Sequence, residues 1–230
     1  MALHPVETLF LDAGGVLVNP NWRRVAEAFK GQGVSVTAEA LQEAEPRAKR
    51  SMDTVEYVTA SGDASRAQRY FDLVFDLAGV TASPARETAL REVRDYHARE
   101  NLWEDVPGDV RAALSRFQAA GLPVVVVSNS NGRLRDLLRR LGLLDFFALV
   151  VDSFEEGLEK PDPRLFEKAL GRAGARREST LHVGDFYEID VVGARAAGLQ
   201  AALLDAAGLY PSHDCPRFAS LGALADTLVG

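Results

Sequence analysis

The sequence predicts an α/β fold, a doubly wound parallel sheet of Rossmann-like type with a smaller α-helical domain inserted after its first strand. Three observations lead there. Five short apolar runs, at residues 8–12, 123–128, 148–152, 181–185 and 201–205, each end in polar or acidic side chains. Strands buried on both faces of a parallel sheet read as continuous runs of this kind rather than as alternating patterns. Amphipathic helical patterns separate the later runs, and the long stretch between the first and second runs carries helical patterns with no clear strand.

Taken in order, residues 8–12 run into Asp12 and then Gly14-Gly15, the form of a buried strand meeting its loop. Asn21 opens a helical pattern with Val25, Ala28 and Phe29 on one face, residues 70–77 are rich in aromatic and aliphatic side chains, and residues 86–99 repeat the helical period. Pro46 lies inside a further helical stretch, 38–52, and is expected to kink or end it, because proline lacks an N–H and clashes with the preceding turn. Structureless loops of such length are rare in compact domains, so residues 19–105 are expected to form a helical domain, with 1–18 and 106–230 forming the α/β core. In the core, Val110, Ala113, Leu114 and Phe117 share one helix face, as do Leu134, Leu137, Leu138 and Leu141. Ligands of such sheets gather beyond the carboxyl ends of the strands, where the polar residues sit.

Composition narrows the function. The formal charge of −7 argues against a broad contact with nucleic-acid phosphates, which depends on lysine and arginine, and favours a small-molecule substrate. Apolar runs such as 122–127 fall far below the roughly 18 residues of a membrane span. The first residues lack a basic segment, and Glu7 and Asp12 interrupt their apolar character, so they read as a strand rather than a secretory signal. A single cysteine, Cys215, allows no internal disulfide and no cysteine-rich metal site, consistent with a cytoplasmic compartment. Monomer and homodimer both remain open.

Four segments carry candidate chemistry. Asp12 ends the first strand and is followed by two glycines that permit close backbone approach to a ligand. Ser128-Asn129 ends the second, offering a hydroxyl and amides to an anion or, equally, a helix cap. Lys160-Pro161-Asp162-Pro163 places one of only four lysines, against twenty-two arginines, before a proline that favours an extended backbone; Asp162-Pro163 looks like a helix start. Gly184-Asp185, followed by Asp190, puts two acids across a strand-to-helix turn, an arrangement that is costly unless a cation compensates it. Asp190 also reads as a first-turn acid favouring its helix dipole.

In this order the four segments resemble the haloacid dehalogenase superfamily, and the resemblance covers nearly the whole chain. The helical insert resembles that family's cap, and Gly193-Ala194-Arg195-Ala196-Ala197-Gly198 matches the helix that usually follows the fourth motif. The resemblance implies a hydrolase in which Asp12 attacks phosphorus to form an aspartyl-phosphate. It implies magnesium (Mg2+) held by the Asp12 carboxylate, the Gly14 backbone carbonyl and the Asp185 carboxylate. Ser128 and the Asn129 amide would hold phosphoryl oxygens, Lys160 would offset negative charge, and Asp190 would steady Lys160 or a metal-bound water.

One departure matters. Family phosphatases usually carry an aspartate two residues after the nucleophile, where this chain has Gly14. Glycine can lend a carbonyl but cannot move a proton, a contribution typically worth about 10²–10⁴-fold. Three readings follow: a magnesium-dependent phosphatase in which water, a cap residue or an acidic leaving group replaces the acid; a 2-haloacid dehalogenase, which needs no leaving-group proton; or a non-catalytic phosphate- or metal-binding module on the same scaffold. The dehalogenase reading must explain Asp185, since two acids without a cation repel. A response-regulator receiver is excluded by motif order and by the insert. His182 reads as a satisfied core or supporting histidine, Trp22, Arg23 and Arg24 as a solvated helix or substrate-gripping residues, and Phe186 as a residue that narrows the site.

Overall fold

In the computed structural model, which describes residues 3–230 apart from the side chains of Asp63 and Ala64, six parallel strands form the main sheet. In chain order the strands are β1 (Thr8–Leu11), β2 (Asn19–Pro20), β3 (Trp103–Asp105), β4 (Val124–Ser128), β5 (Leu149–Asp152), β6 (Thr180–Gly184), β7 (Gln200–Leu204) and β8 (Arg217–Phe218). The large sheet has the order β5-β4-β1-β6-β7-β8, and β2 pairs with β3 separately. The chain builds outward from β1 through β4 and β5, then crosses to the opposite side of β1 for β6 and β7. The strand order therefore reverses around the carboxyl end of β1, the usual place for a ligand crevice. Leu9 stands in register with Val124 on one side and Leu181 on the other, which aligns the ends of all three strands.

The five sequence-predicted strands are present, each displaced by a residue or so. Three short strands, β2, β3 and β8, were not expected; two or three residues show no periodicity to read. Phe10, Val125, Val127 and Val151 on one sheet face pack with Leu165, Phe166 and Ala169 of the helix Pro163–Ala173. That helix starts as its sequence indicates. Asp162 accepts from the Arg164 amide, Pro163 takes the first helical position, and Gly174 ends the helix with φ of 62°.

Contacts divide the chain into two compact units, one running up to Asn19 and resuming at Val106–Gly230, the other Pro20–Asp105. The second is helical: Trp22–Gly31, Ala38–Met52, Val55–Ala60, Asp63–Leu77 and Pro84–Glu100. Its interior is aromatic, with Phe29 against Phe75 at 4.9 Å and Tyr70 against Phe71 at 5.1 Å between ring centroids. The helical stretch 38–52 is one helix, Ala38–Met52, and of the two effects expected of Pro46, a kink or an end, it does not end there. The flanking turns anchor it: Leu41, Ala44 and Ala48 are buried, and the buried Glu45 carboxylate takes donors from Trp22 Nε1, Tyr70 and Lys49. Those contacts outweigh the one backbone bond that proline removes. Trp22 is accordingly a core residue of this unit, not part of a solvated helix. Arg24 is occupied within the same unit, lying over the Tyr96 ring at 3.8 Å and 3.2 Å from Glu104. No helix among the described residues is long and apolar enough to cross a membrane.

Candidate active site

Asp12 follows β1 directly, and its amide donates to the Val183 carbonyl of β6 at 2.9 Å, which pins the acid at the centre of the sheet edge. The turn beyond it closes on one carbonyl: Leu17 and Val18 amides both donate to Ala13 O, at 2.9 and 3.0 Å. Gly15 occupies positive φ of 73°, which explains a glycine there.

Three acids and one lysine converge on this point. Lys160, 1% exposed, lies with its Nζ 2.9 Å from Asp12 Oδ1 and 2.6 Å from Asp190 Oδ1. Oxygen atoms of Asp12, Asp185 and Asp190 all lie within 4.8 Å of one another. Lys160 Nζ thus bridges the Asp12 and Asp190 carboxylates. Burial pulls the Lys160 ammonium toward lower pKa, and the Asp12 and Asp190 carboxylates outweigh it, holding the amine protonated well above its ordinary range. Burial pushes Asp190 the other way, and Lys160 followed by His182 overcomes it, leaving that carboxyl far below the usual range.

Asp190 is fully engaged by donors. Oδ1 meets Lys160 Nζ and His182 Nε2 at 3.0 Å, and Oδ2 accepts from the Phe186 amide at 3.1 Å. It is therefore tied to the lysine rather than serving only the helix dipole. The residues Tyr187–Val191 form a π-helical turn that leads into the helix Val192–Ala196, a wider turn than the sequence indicates. It lays the Asp190 side chain directly against Gly184, where a Cβ atom would lie 2.0 Å from Asp190 Cγ. Glycine at 184 is thus required by close packing. His182 is wholly buried, edge-on to Phe166 at 4.9 Å; burial lowers its pKa and keeps the ring neutral, the supporting role expected of it.

Ser128, 3% exposed, ends β4. The Asn129 side chain grips Lys160 from behind: Nδ2 donates to the Lys160 carbonyl at 3.0 Å and Oδ1 accepts from the Lys160 amide at 2.8 Å. Sequence reasoning anticipated the Asn129 backbone as an anion donor but missed this side-chain clamp, for no local pattern links residues thirty-one apart. The Lys160–Pro161 peptide is cis. Tyr187, which follows the fourth motif, directs its hydroxyl to Asp214, and burial first, then Asp214, pushes the phenol up to about 12.

The donor set suits a hard divalent cation. Three acidic side chains lie together beside one lysine in a largely buried cluster, and His182 adds no charge. Asp12, Asp185 and Asp190 are the acidic side chains close enough together to hold such an ion, and Asp190 is also bound by Lys160 and His182.

A doubly wound parallel sheet with an acid–lysine cluster at the end of its central strand defines a class of α/β protein whose site is built on strand-end carboxylates. The sequence profile of the haloacid dehalogenase-like hydrolases matches residues 6–198, and the chain belongs to that family of hydrolases. It is similar to "Haloacid dehalogenase-like hydrolase domain-containing protein 3" of Bos taurus, 33% identical over 184 residues covering 78% of this chain and 72% of that protein. It is also similar to a "Phosphoserine phosphatase" of Thermus thermophilus, 37% identical over 149 residues covering 64% of this chain and 59% of that one. Among solved structures, the HAD-hydrolase YfnB of Bacillus subtilis bound to magnesium shares the fold, with a TM-score of 0.72 at 17% identity over 98% of this chain and 99% of that chain.

Proposed function

We propose that this hydrolase is a magnesium-dependent phosphatase of a small phosphorylated metabolite, working through an aspartyl-phosphate on Asp12 in a cytoplasmic setting. The observation that carries the reading is the buried Lys160 ammonium between Asp12 and Asp190, 2.9 and 2.6 Å away, with Asp185 close beside them. When magnesium is held by Asp12, Asp185 and the Gly14 carbonyl, the charge it supplies offsets that of the phosphoryl group and the nucleophile. Asp12 attacks phosphorus, the bond to the leaving oxygen breaks, and the phosphoryl group rests on the carboxylate. Water then attacks phosphorus, releasing inorganic phosphate and restoring Asp12. Ser128 and the Asn129 amide hold phosphoryl oxygens, and Lys160 balances negative charge throughout. Asp190 and the Asn129 side chain keep Lys160 in place. The helical unit acts as a cap that selects the substrate.

Gly14 supplies no proton, so the leaving oxygen takes one from water or departs as an acidic leaving group. The same residue favours a second reading, displacement of halide from a 2-haloacid by Asp12, a reaction that gives Asp185, close beside Asp12, no chemical role. A panel of phosphate monoesters, acyl phosphates and 2-haloacids separates them, each assayed with magnesium and with chelator. Phosphate release that needs the metal and is lost in Asp12→Asn, by about 10³-fold or more for a missing nucleophile, is expected. Chelator-resistant halide release supports the dehalogenase, and silence throughout supports a non-catalytic binding module.

A further inference from the structure

Ser128 is the register partner of Asp152, so the turn that leaves β4 passes beside the end of β5. Asp152 is buried, and among the described residues every hydrogen bond to its carboxylate comes from a backbone amide. Oδ2 accepts from Gly132 at 3.0 Å and Leu134 at 3.3 Å, and Oδ1 from Phe154 at 3.0 Å. The next residue, Ser153, accepts from the Ser130 amide at 3.0 Å and donates to the Ser130 carbonyl at 3.3 Å. Capping the short helix Ser153–Glu156 requires only the Phe154 amide. The four remaining bonds all reach across to residues 130–134, the turn beyond β4 and the start of the helix Leu134–Arg140. A buried carboxylate without a cation is costly, and several converging N–H groups are what make it tolerable.

We propose that Asp152 and Ser153 are positioning residues that hold the Ser128–Ser130 turn in its anion-binding shape. The inference rests on the reading of Ser128 and the Asn129 amide as the phosphoryl-holding groups. Ser153 grips the turn at Ser130, Asp152 holds its continuation at Gly132 and Leu134, and the Asn129 side chain ties it to the Lys160 backbone. Such fixing lowers the cost of ordering donors when an anion arrives. Because the phosphoryl group is held before and during reaction, loosening the turn weakens binding more than turnover.

The test measures kcat and KM for p-nitrophenyl phosphate, and the inhibition constant of inorganic phosphate, in the wild type, Ser153→Ala, Ser153→Thr and Asp152→Asn. Ser153→Ala is expected to raise KM and the phosphate inhibition constant together by about three- to tenfold, the scale of one hydrogen bond, with kcat within about twofold. Ser153→Thr keeps the hydroxyl and restores both constants. Asp152→Asn, which can accept on one side only, produces a larger rise in the same two constants. A wild type that neither hydrolyses the ester nor is inhibited by phosphate removes the phosphatase reading and this inference together. A wild type that does both, with Ser153→Ala altering only kcat or only melting temperature, overturns the positioning role alone.

Discussion

Gly14 sits half-buried two residues beyond Asp12, on the turn that folds back over the Ala13 carbonyl. Three of the side chains around Asp12 are already committed elsewhere and do not replace its missing proton chemistry. Lys160 is held charged between carboxylates, Asp190 accepts from three donors, and His182 is neutral with its Nε2 on Asp190. Gly14→Asp is therefore expected to raise kcat for alkyl phosphates, whose leaving groups need a proton, more than for nitrophenyl phosphates, by up to about 10²-fold. Equal changes for both ester classes would show that no proton donor is missing. The acids and the lysine of this site were legible as residue types in sequence. Their pairing followed only from the family resemblance, which implied that Asp190 steadies Lys160 or a metal-bound water; the two are thirty residues apart, and the fold brings them to 2.6 Å.

Among the elements, the π-helical turn Tyr187–Val191 and the end of β6 work as a unit. Gly184 has no room for a side chain because the Asp190 carboxyl occupies it, whereas Gly171, inside the helix Pro163–Ala173, meets nothing within 4 Å. Gly184→Ala is expected to cost about 1–3 kcal/mol of stability through overpacking and to lower kcat at least tenfold by displacing Asp190 from Lys160. Gly171→Ala should be neutral or stabilising by up to about 1 kcal/mol, since alanine is the better helix former. Thermal melts and rates on both variants check this; matching behaviour would mean that packing at Gly184 is not specific. Strand positions were readable from apolar runs, and helix starts from Asn21 and Asp162, each of which caps through its own side chain. The bounds 38–52 were readable too, but whether the helix would end at Pro46 was not, because its anchors are tertiary contacts of Glu45 and its apolar neighbours.

At the scale of the molecule, each compact unit contains a buried acid network, and that in the helical unit is centred on Glu45. Burial raises the Glu45 pKa, and Lys49, Trp22 and Tyr70 together outweigh it, so the folded value lies below the ordinary 4.5. A depressed folded value means that the unfolded chain binds its proton first as acid is added. The stabilisation is therefore complete above about pH 4.5 and is lost as pH falls through the folded value. Urea unfolding of the whole chain between about pH 3 and 7 should show declining stability over the acid end of that range. Glu45→Gln should cost about 1–3 kcal/mol at neutral pH and flatten the acid decline. An unchanged slope in that variant would remove Glu45 as its source.

Local chemistry is written along the chain, so the sequence by itself determined the α/β class, the five main strands, the helical character of the insert, the site's residue types and the departure at Gly14. Apolar runs and capping residues act over a few positions and can be read without knowing the fold. Tertiary structure alone decided that Asp190 also meets His182, that the Asn129 side chain clamps a backbone thirty-one residues away, and that Asp152 and Ser153 bond to the turn after β4. The reason is physical. Desolvated charges and buried amides take whichever partners the packed sheet brings within hydrogen-bond reach, and that proximity is set by strand order rather than by spacing along the chain.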